Sequence, residues 1–198
     1  MRASRLLLVC TLVLTVLRPL AAPAQQPLAQ DPPAPIVDLT PEQRRHYDQG
    51  LTEARSLIAE GQLGRATARL DALIAARPRE AQARFLKGVV QSESGETEAA
   101  IATFRALIDD YPEIPEPYNN LAVLYGRRGE IEAARTALLT AIKTAPDWAV
   151  PYENLGDVYA RLAVEQYERA QTLDRANKTA PAKLKLARDL LAAGATRP

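Results

Sequence analysis

The 198 residues include 25 % charged side chains and a formal net charge of +1, enough chain for one domain with terminal segments. So even a balance leaves no basic field to recruit nucleic acid. A single Cys and a single His exclude a disulfide framework and a zinc cluster.

Arg2 and Arg5 precede an apolar run from Leu6 to Leu17, polar only at its two Thr residues and at Cys10. Ala22-Pro23-Ala24 follows, an A-x-A pattern that suits signal peptidase. Residues 1–24 are therefore expected to be a signal peptide, cleaved after Ala24. The run falls short of the roughly 20 apolar residues of a membrane span, so no stable membrane insertion is expected after cleavage. Cys10 sits inside the run behind Leu8 and Val9, not at its end after small residues, so it is read as leaving with the signal. Without Arg2, Arg5 and Arg18, 25 basic residues become 22 against 24 acidic ones. The mature chain then has neither Cys nor Met, and packing alone must hold it.

Residues 25–40 contain Pro27, Pro32, Pro33 and Pro35 and few large apolar side chains, the composition of an extended linker. Thr40-Pro41-Glu42-Gln43 reads as an N-cap, a Pro at the first helical position and a polar first turn. Helical periodicity continues from there almost to the C-terminus, with no strand signal.

Several residue sets recur every 34 positions: Gly61, Gly95 and Gly129; Pro78, Pro112 and Pro146; Ala66, Ala100 and Ala134; and the small residues Ala54, Gly88, Ala122 and Gly156. Leu70, Phe104 and Leu138 keep the same spacing. Each unit reads as helix A, a turn at the Gly, helix B and a stop at the Pro. The units run from about Tyr47 to Glu80, Ala81 to Ile114 and Pro115 to Trp148.

Tyr118-x2-Leu121-Ala122-x2-Tyr125, Ala134-x3-Leu138 and Pro146 in the third unit resemble the tetratricopeptide repeat family. The fourth opens the same way with Tyr152-x2-Leu155-Gly156-x2-Tyr159. The first and second units match less well in helix A, and Gly50 stands where a large aromatic is expected. The resemblance covers residues 41–177 and implies an all-α solenoid of about four helix pairs, the fourth shortened.

In the fourth unit the period would put Glu168, Thr172 and Arg175 on the apolar positions of helix B. Tyr159, Ala163, Tyr167 and Ala170, spaced four, four and three, instead share one face of a continuous helix, expected from Pro151 to about Asn177. A pair with a tight break is the other reading. Residues 178–198 follow: Thr179, Ala180 and Pro181 suit a helix start, and Leu184, Ala187 and Leu191 form a stripe, as a C-terminal capping helix would. A basic amphipathic helix on an anionic membrane is the alternative.

The sequence holds little for catalysis. His46 is isolated, no Cys survives processing, and Ser56, Ser92 and Ser94 have no base beside them. Asp109-Asp110 ends a helix, and Gly126 to Gly129 marks a turn after a helix, unlike a phosphate loop. No enzyme activity, cofactor or metal is expected. The resemblance implies instead a groove lined by the helix A faces. It places there Phe85, Leu86 and Val89, then Asn119, Asn120, Val123 and Arg127, then Glu153, Asn154, Asp157 and Arg161. Asn120 and Asn154, 34 apart, occupy a position where family members often hold a peptide-binding Asn. Glu153 and Asp157 among Arg127 and Arg161 argue against an acidic C-terminal tail as ligand.

The expected function is a non-enzymatic scaffold or adaptor in a bacterial periplasm that binds a peptide or protein partner in envelope assembly. A regulatory subunit of a cell-wall enzyme and a self-associating, homo-oligomeric module are the alternatives.

Overall fold

Thr40 opens the first helix through a reciprocal cap. The Gln43 amide donates to Thr40 Oγ1 (3.2 Å) and the Thr40 amide donates to Gln43 Oε1 (3.0 Å), with Pro41 at the first position. The computed structural model describes residues 40–194, which lie in one compact unit. The expected signal, its cleavage point at Ala24, Cys10 and the Pro-rich linker lie outside the described residues.

Eight α-helices and no strand are present among the described residues. They are α1 (Pro41–Ala59), α2 (Leu63–Ala76), α3 (Ala81–Glu93), α4 (Thr97–Asp110), α5 (Pro115–Arg127), α6 (Ile131–Thr144), α7 (Ala149–Leu173) and α8 (Ala180–Gly194). Consecutive helices pack on each other, and α1, α3, α5 and α7 also touch in series, so the odd-numbered helices share one side of the array.

The turns repeat as the sequence does. Gly61, Gly95 and Gly129 have φ of 69°, 78° and 77°, a conformation that Cβ disfavours. Each ends its helix with the same two bonds. Gly61 N donates to Ile58 O and Gln62 N to Leu57 O, and the pattern recurs at Gly95–Glu96 and Gly129–Glu130. At the other end of each pair, Arg77, Tyr111 and Ala145 leave the helical region, with φ near −140° (−143°, −140° and −134°). Each precedes a Pro, whose ring forces that change.

Between the turns, small residues face large ones. A Cβ on Gly88 would meet Phe104 Cε1 at 2.6 Å, so the Phe104 ring lies directly on the α3 backbone. At the same register Ala54 and Ala122, both buried, stand with the smaller Leu70 and Leu138. Gly50 has its own reason: a Cβ there would strike Leu73 Cδ2 (2.8 Å) and Arg69 Nη2 (2.9 Å). The space expected to hold an aromatic is filled from α2, where Arg69 Nε pairs with Glu53 (2.8 Å).

Two core clusters result, one around α1–α3 and one around α3–α7, and Phe85 packs against both. Its ring centroid is 5.8 Å from that of Phe104. Ion pairs such as Lys87–Asp71 (2.6 Å) and Arg128–Glu98 (2.6 Å) link successive units from the surface. Exposed pairs of this type contribute roughly 0–1 kcal/mol, so packing holds the array.

The fourth unit differs. α7 is unbroken for 25 residues, with Arg161 inside it, so no turn separates a helix A from a helix B. It ends at Leu173, four residues before the expected Asn177. α8 folds back on its C-terminal half, held by Ala180, Leu184 and Ala187, all buried, and by Arg188–Glu168 (2.6 Å). Asn177, which the sequence offers only as a boundary, accepts from the Thr179 and Ala180 amides at 3.0 and 2.9 Å and caps α8.

Replacing Gly88 by Ala should destabilise the protein by roughly 1–3 kcal/mol through its collision with Phe104. Gly156→Ala, at the same register in α7 but with nothing within 4 Å of the new Cβ, should be neutral or stabilise by up to about 1 kcal/mol. Urea unfolding followed by circular dichroism distinguishes the two.

Tyr47 gives a pH test. Its buried hydroxyl is pushed from 10.0 up to about 12, first by loss of hydration and then by the Glu80 charge. The unfolded chain ionises first, so this contribution is complete below pH 10 and is lost as pH rises toward 12. The urea midpoint of the wild type should fall over that window, and Tyr47→Phe should flatten the fall.

Candidate groove between the third and fourth repeats

The odd-numbered helices place the groove residues at three distinct depths. On α3, Phe85 and Val89 are half-buried and pack against the core. Leu86 is buried in the first core cluster. These positions give the wall its shape and offer it no polar group.

α5 and α7 form the open part. Ala122, Val123, Gly126 and Arg127 from α5, Leu138 from α6, and Asn154, Asp157, Val158 and Arg161 from α7 line a cleft of about 200 Å³. Of the eleven groove residues expected from sequence, it brings together Val123, Arg127, Asn154, Asp157 and Arg161. Leu138 and Val158 supply an apolar floor, and both are buried.

The polar rim divides into engaged and unengaged groups. Arg161 Nη1 donates to Gly126 O at 2.8 Å, adding a second donor to a carbonyl that already accepts from the Gly129 amide at 3.2 Å. Asn154 Nδ2 donates to Asn119 Oδ1 at 2.8 Å, which satisfies the buried Asn119 and leaves the Asn154 oxygen directed elsewhere. Arg127 and Asp157 line the same cleft with opposite charge, and neither has an ion pair or hydrogen bond among the described residues.

Asn120 behaves differently from Asn154 despite the shared register. Its Nδ2 donates to Glu116 O of its own helix at 2.9 Å. The reason lies one helix back. Asn154 finds the Asn119 oxygen 35 residues earlier, whereas the residue 35 before Asn120 is Phe85, which has no acceptor. Glu153 is exposed on the first turns of α7, outside the cleft lining.

His46 lies in a separate cleft where α1 meets α2, with Tyr47, Arg69 and Arg77. It is exposed and has no hydrogen-bond partner among the described residues. No group of three or more His, Cys, Asp or Glu among the described residues could hold a metal. No described helix is long and apolar enough to cross a membrane.

The third repeat and the start of the fourth thus carry a groove whose floor is apolar and whose rim mixes amide, cation and anion. Sequence reasoning reached its residues through the register. It missed Leu138 and Val158, which line the floor as core residues, and the Asn119–Asn154 bond, which requires the packed pair of helices.

No curated protein matches this chain. Solved structures do. The *Yersinia enterocolitica* type III secretion chaperone SycD, in complex with a peptide of the translocator YopD, is 14 % identical over 59 % of this chain and 95 % of that one (TM-score 0.54). *Pseudomonas aeruginosa* PilF is 19 % identical over 78 % of this chain and 79 % of that one (TM-score 0.56). The first tetratricopeptide domain of Spaghetti (RPAP3), bound to an HSP90 peptide, is 10 % identical over 60 % of this chain and 94 % of that one (TM-score 0.55). At these identities the likeness is one of fold. Two tetratricopeptide repeat models match residues 51–115 and 115–147, the span in which the Gly turns, the Pro stops and the small-on-large contacts recur. The chain belongs to the tetratricopeptide repeat family.

Proposed function

We propose that this protein is a non-enzymatic adaptor that holds an extended peptide of a partner in the cleft between α5 and α7, and that it does so in a bacterial periplasm. The observation that carries the reading is the pair Arg127 and Asp157. Opposite charges share one cleft, unpaired among the described residues, over a floor of Leu138 and Val158. A peptide offers carbonyls and amides to such a rim and an apolar side chain to such a floor. Asn154, held by Asn119, is fixed in advance and costs little to order. The peptide complexes of SycD and of the Spaghetti domain, which share the fold, support this use of the groove. The mixed charge suits a partner segment of mixed or neutral sequence, bound at about micromolar strength, near −8 kcal/mol.

The periplasmic setting rests on the basic, apolar and A-x-A pattern of residues 1–24. An envelope-assembly role follows from that setting and is part of the proposal.

A photo-crosslinking residue at Val123 or Asn154, installed in cells and read by mass spectrometry, should capture a specific envelope protein. Asp157→Ala and Arg127→Ala should each weaken binding of the captured peptide by about tenfold, the loss of one charged hydrogen bond. Capture only through residues 25–40, or turnover of a small molecule abolished by changing His46, would contradict the reading. N-terminal sequencing of the periplasmic fraction should begin at Gln25.

A further inference from the structure

The fourth repeat has a helix A and lacks the helix B that covers it in every other repeat. In α5, Tyr125 and Ala122 are buried and Tyr118 is half-buried, with α6 packed on the helix. The equivalents in α7 stand open: Tyr152 and Tyr159 are 49 % and 48 % exposed, and nothing lies within 4 Å of a Cβ on Gly156. Length explains the gap. α7 has 25 residues, about 37 Å, and α8 has 15, about 22 Å. The stripe Tyr152, Gly156, Tyr159, Ala163, Tyr167, Ala170 runs along one face of α7. α8 lies over its second half, where Lys183 Nζ sits 5.9 Å from the Tyr167 ring. About three turns remain as an empty slot, bordered by α6, whose Leu139 is 42 % exposed.

The same chain displays a helix suited to that slot. The inner face of α8, Ala180, Leu184 and Ala187, is buried on α7. Half a turn away, Ala182, Leu186 and Leu190 form a second apolar stripe, with Leu186 and Leu190 at 69 % and 58 % exposure. Ala182-x3-Leu186 repeats the small-x3-large spacing of Ala66-x3-Leu70, Ala100-x3-Phe104 and Ala134-x3-Leu138. Among the described residues, every exposed large hydrophobic belongs to α6, α7 or α8. Such a concentration on a surface marks an interaction site.

We infer that a second copy of this chain completes the fourth repeat. A twofold axis that sets two α7 helices antiparallel lays the α8 of each copy over the open half of the other's α7. The outer stripe Leu186–Leu190 then fills the slot at Tyr152, Gly156 and Tyr159, twice per dimer. The contact is self-complementary, as a closed pair requires, and the four helices form an antiparallel bundle. It uses a face of α7 other than the one that lines the peptide cleft, so it stands independently of the peptide-binding reading.

Light scattering on the purified protein tests this, across roughly 1 to 100 µM, where interfaces of ordinary size associate. The mass should be twice that of the single purified chain, which weighs 21.6 kDa with residues 1–24 and less after the proposed cleavage. Gly156→Arg places a side chain where the free chain has open space, so it keeps the fold while blocking the slot. Leu186→Glu with Leu190→Glu alters only exposed positions. Both proteins should keep their helical circular dichroism, and the mass of each should fall twofold. A wild-type monomer throughout the range, a dimer that survives both changes, or a monomer whose slot takes another protein's helix would overturn the inference.

Discussion

The array depends on how closely helix A and helix B of one repeat can approach. Where Phe104 comes from α4, α3 must offer Gly88, because even one carbon there would lie 2.6 Å from the ring. Where Leu70 or Leu138 comes from helix B, an Ala suffices. The left-handed Gly turns set the angle at which the partner returns, and the Pro stops release the chain for the next unit. With three such units in register, the odd-numbered helices stand side by side, and the cleft between α5 and α7 is a consequence of their spacing.

The end of the array shows what happens when one of these elements is lost. Without a turn near Arg161, helix A grows to about twice the length of α3 and α5, and the helix that should return to cover it starts too late. The C-terminal half of α7 is covered by α8. Its N-terminal half keeps a helix A surface, Tyr152, Gly156 and Tyr159, that has lost its cover. In a solenoid a terminal unit exposes whatever its missing neighbour would have buried. Here the exposed part lies within a repeat, because the missing piece is half of one.

Local backbone devices were legible in the sequence because each rests on one residue type. Thr40 caps, Gly61, Gly95 and Gly129 turn, and the residues before Pro78, Pro112 and Pro146 stop helices. The long α7 was legible for a similar reason: its apolar residues keep a helical spacing through the place where a Gly turn should be. Contacts between side chains of different helices were not. Asn120 and Asn154 share a register, but only Asn154 meets an acceptor on the helix before it, and nothing local to either residue encodes that difference. Gly50 read as a defect in the repeat, and its purpose depends on Arg69, nineteen positions later. Phe85 has the composition of a groove residue and the packing of a core residue.

The recurring residues build the scaffold, and in the proposed reading the residues that recognise a partner lie among those that do not recur. Hydrogen exchange of the protein, alone and saturated with its captured partner, tests that division most directly. Protection should increase in α5 and α7 around the cleft and stay unchanged in α1 and α2. Increased protection confined to α1 and α2, with α5 and α7 unaffected, would place recognition elsewhere and contradict the account.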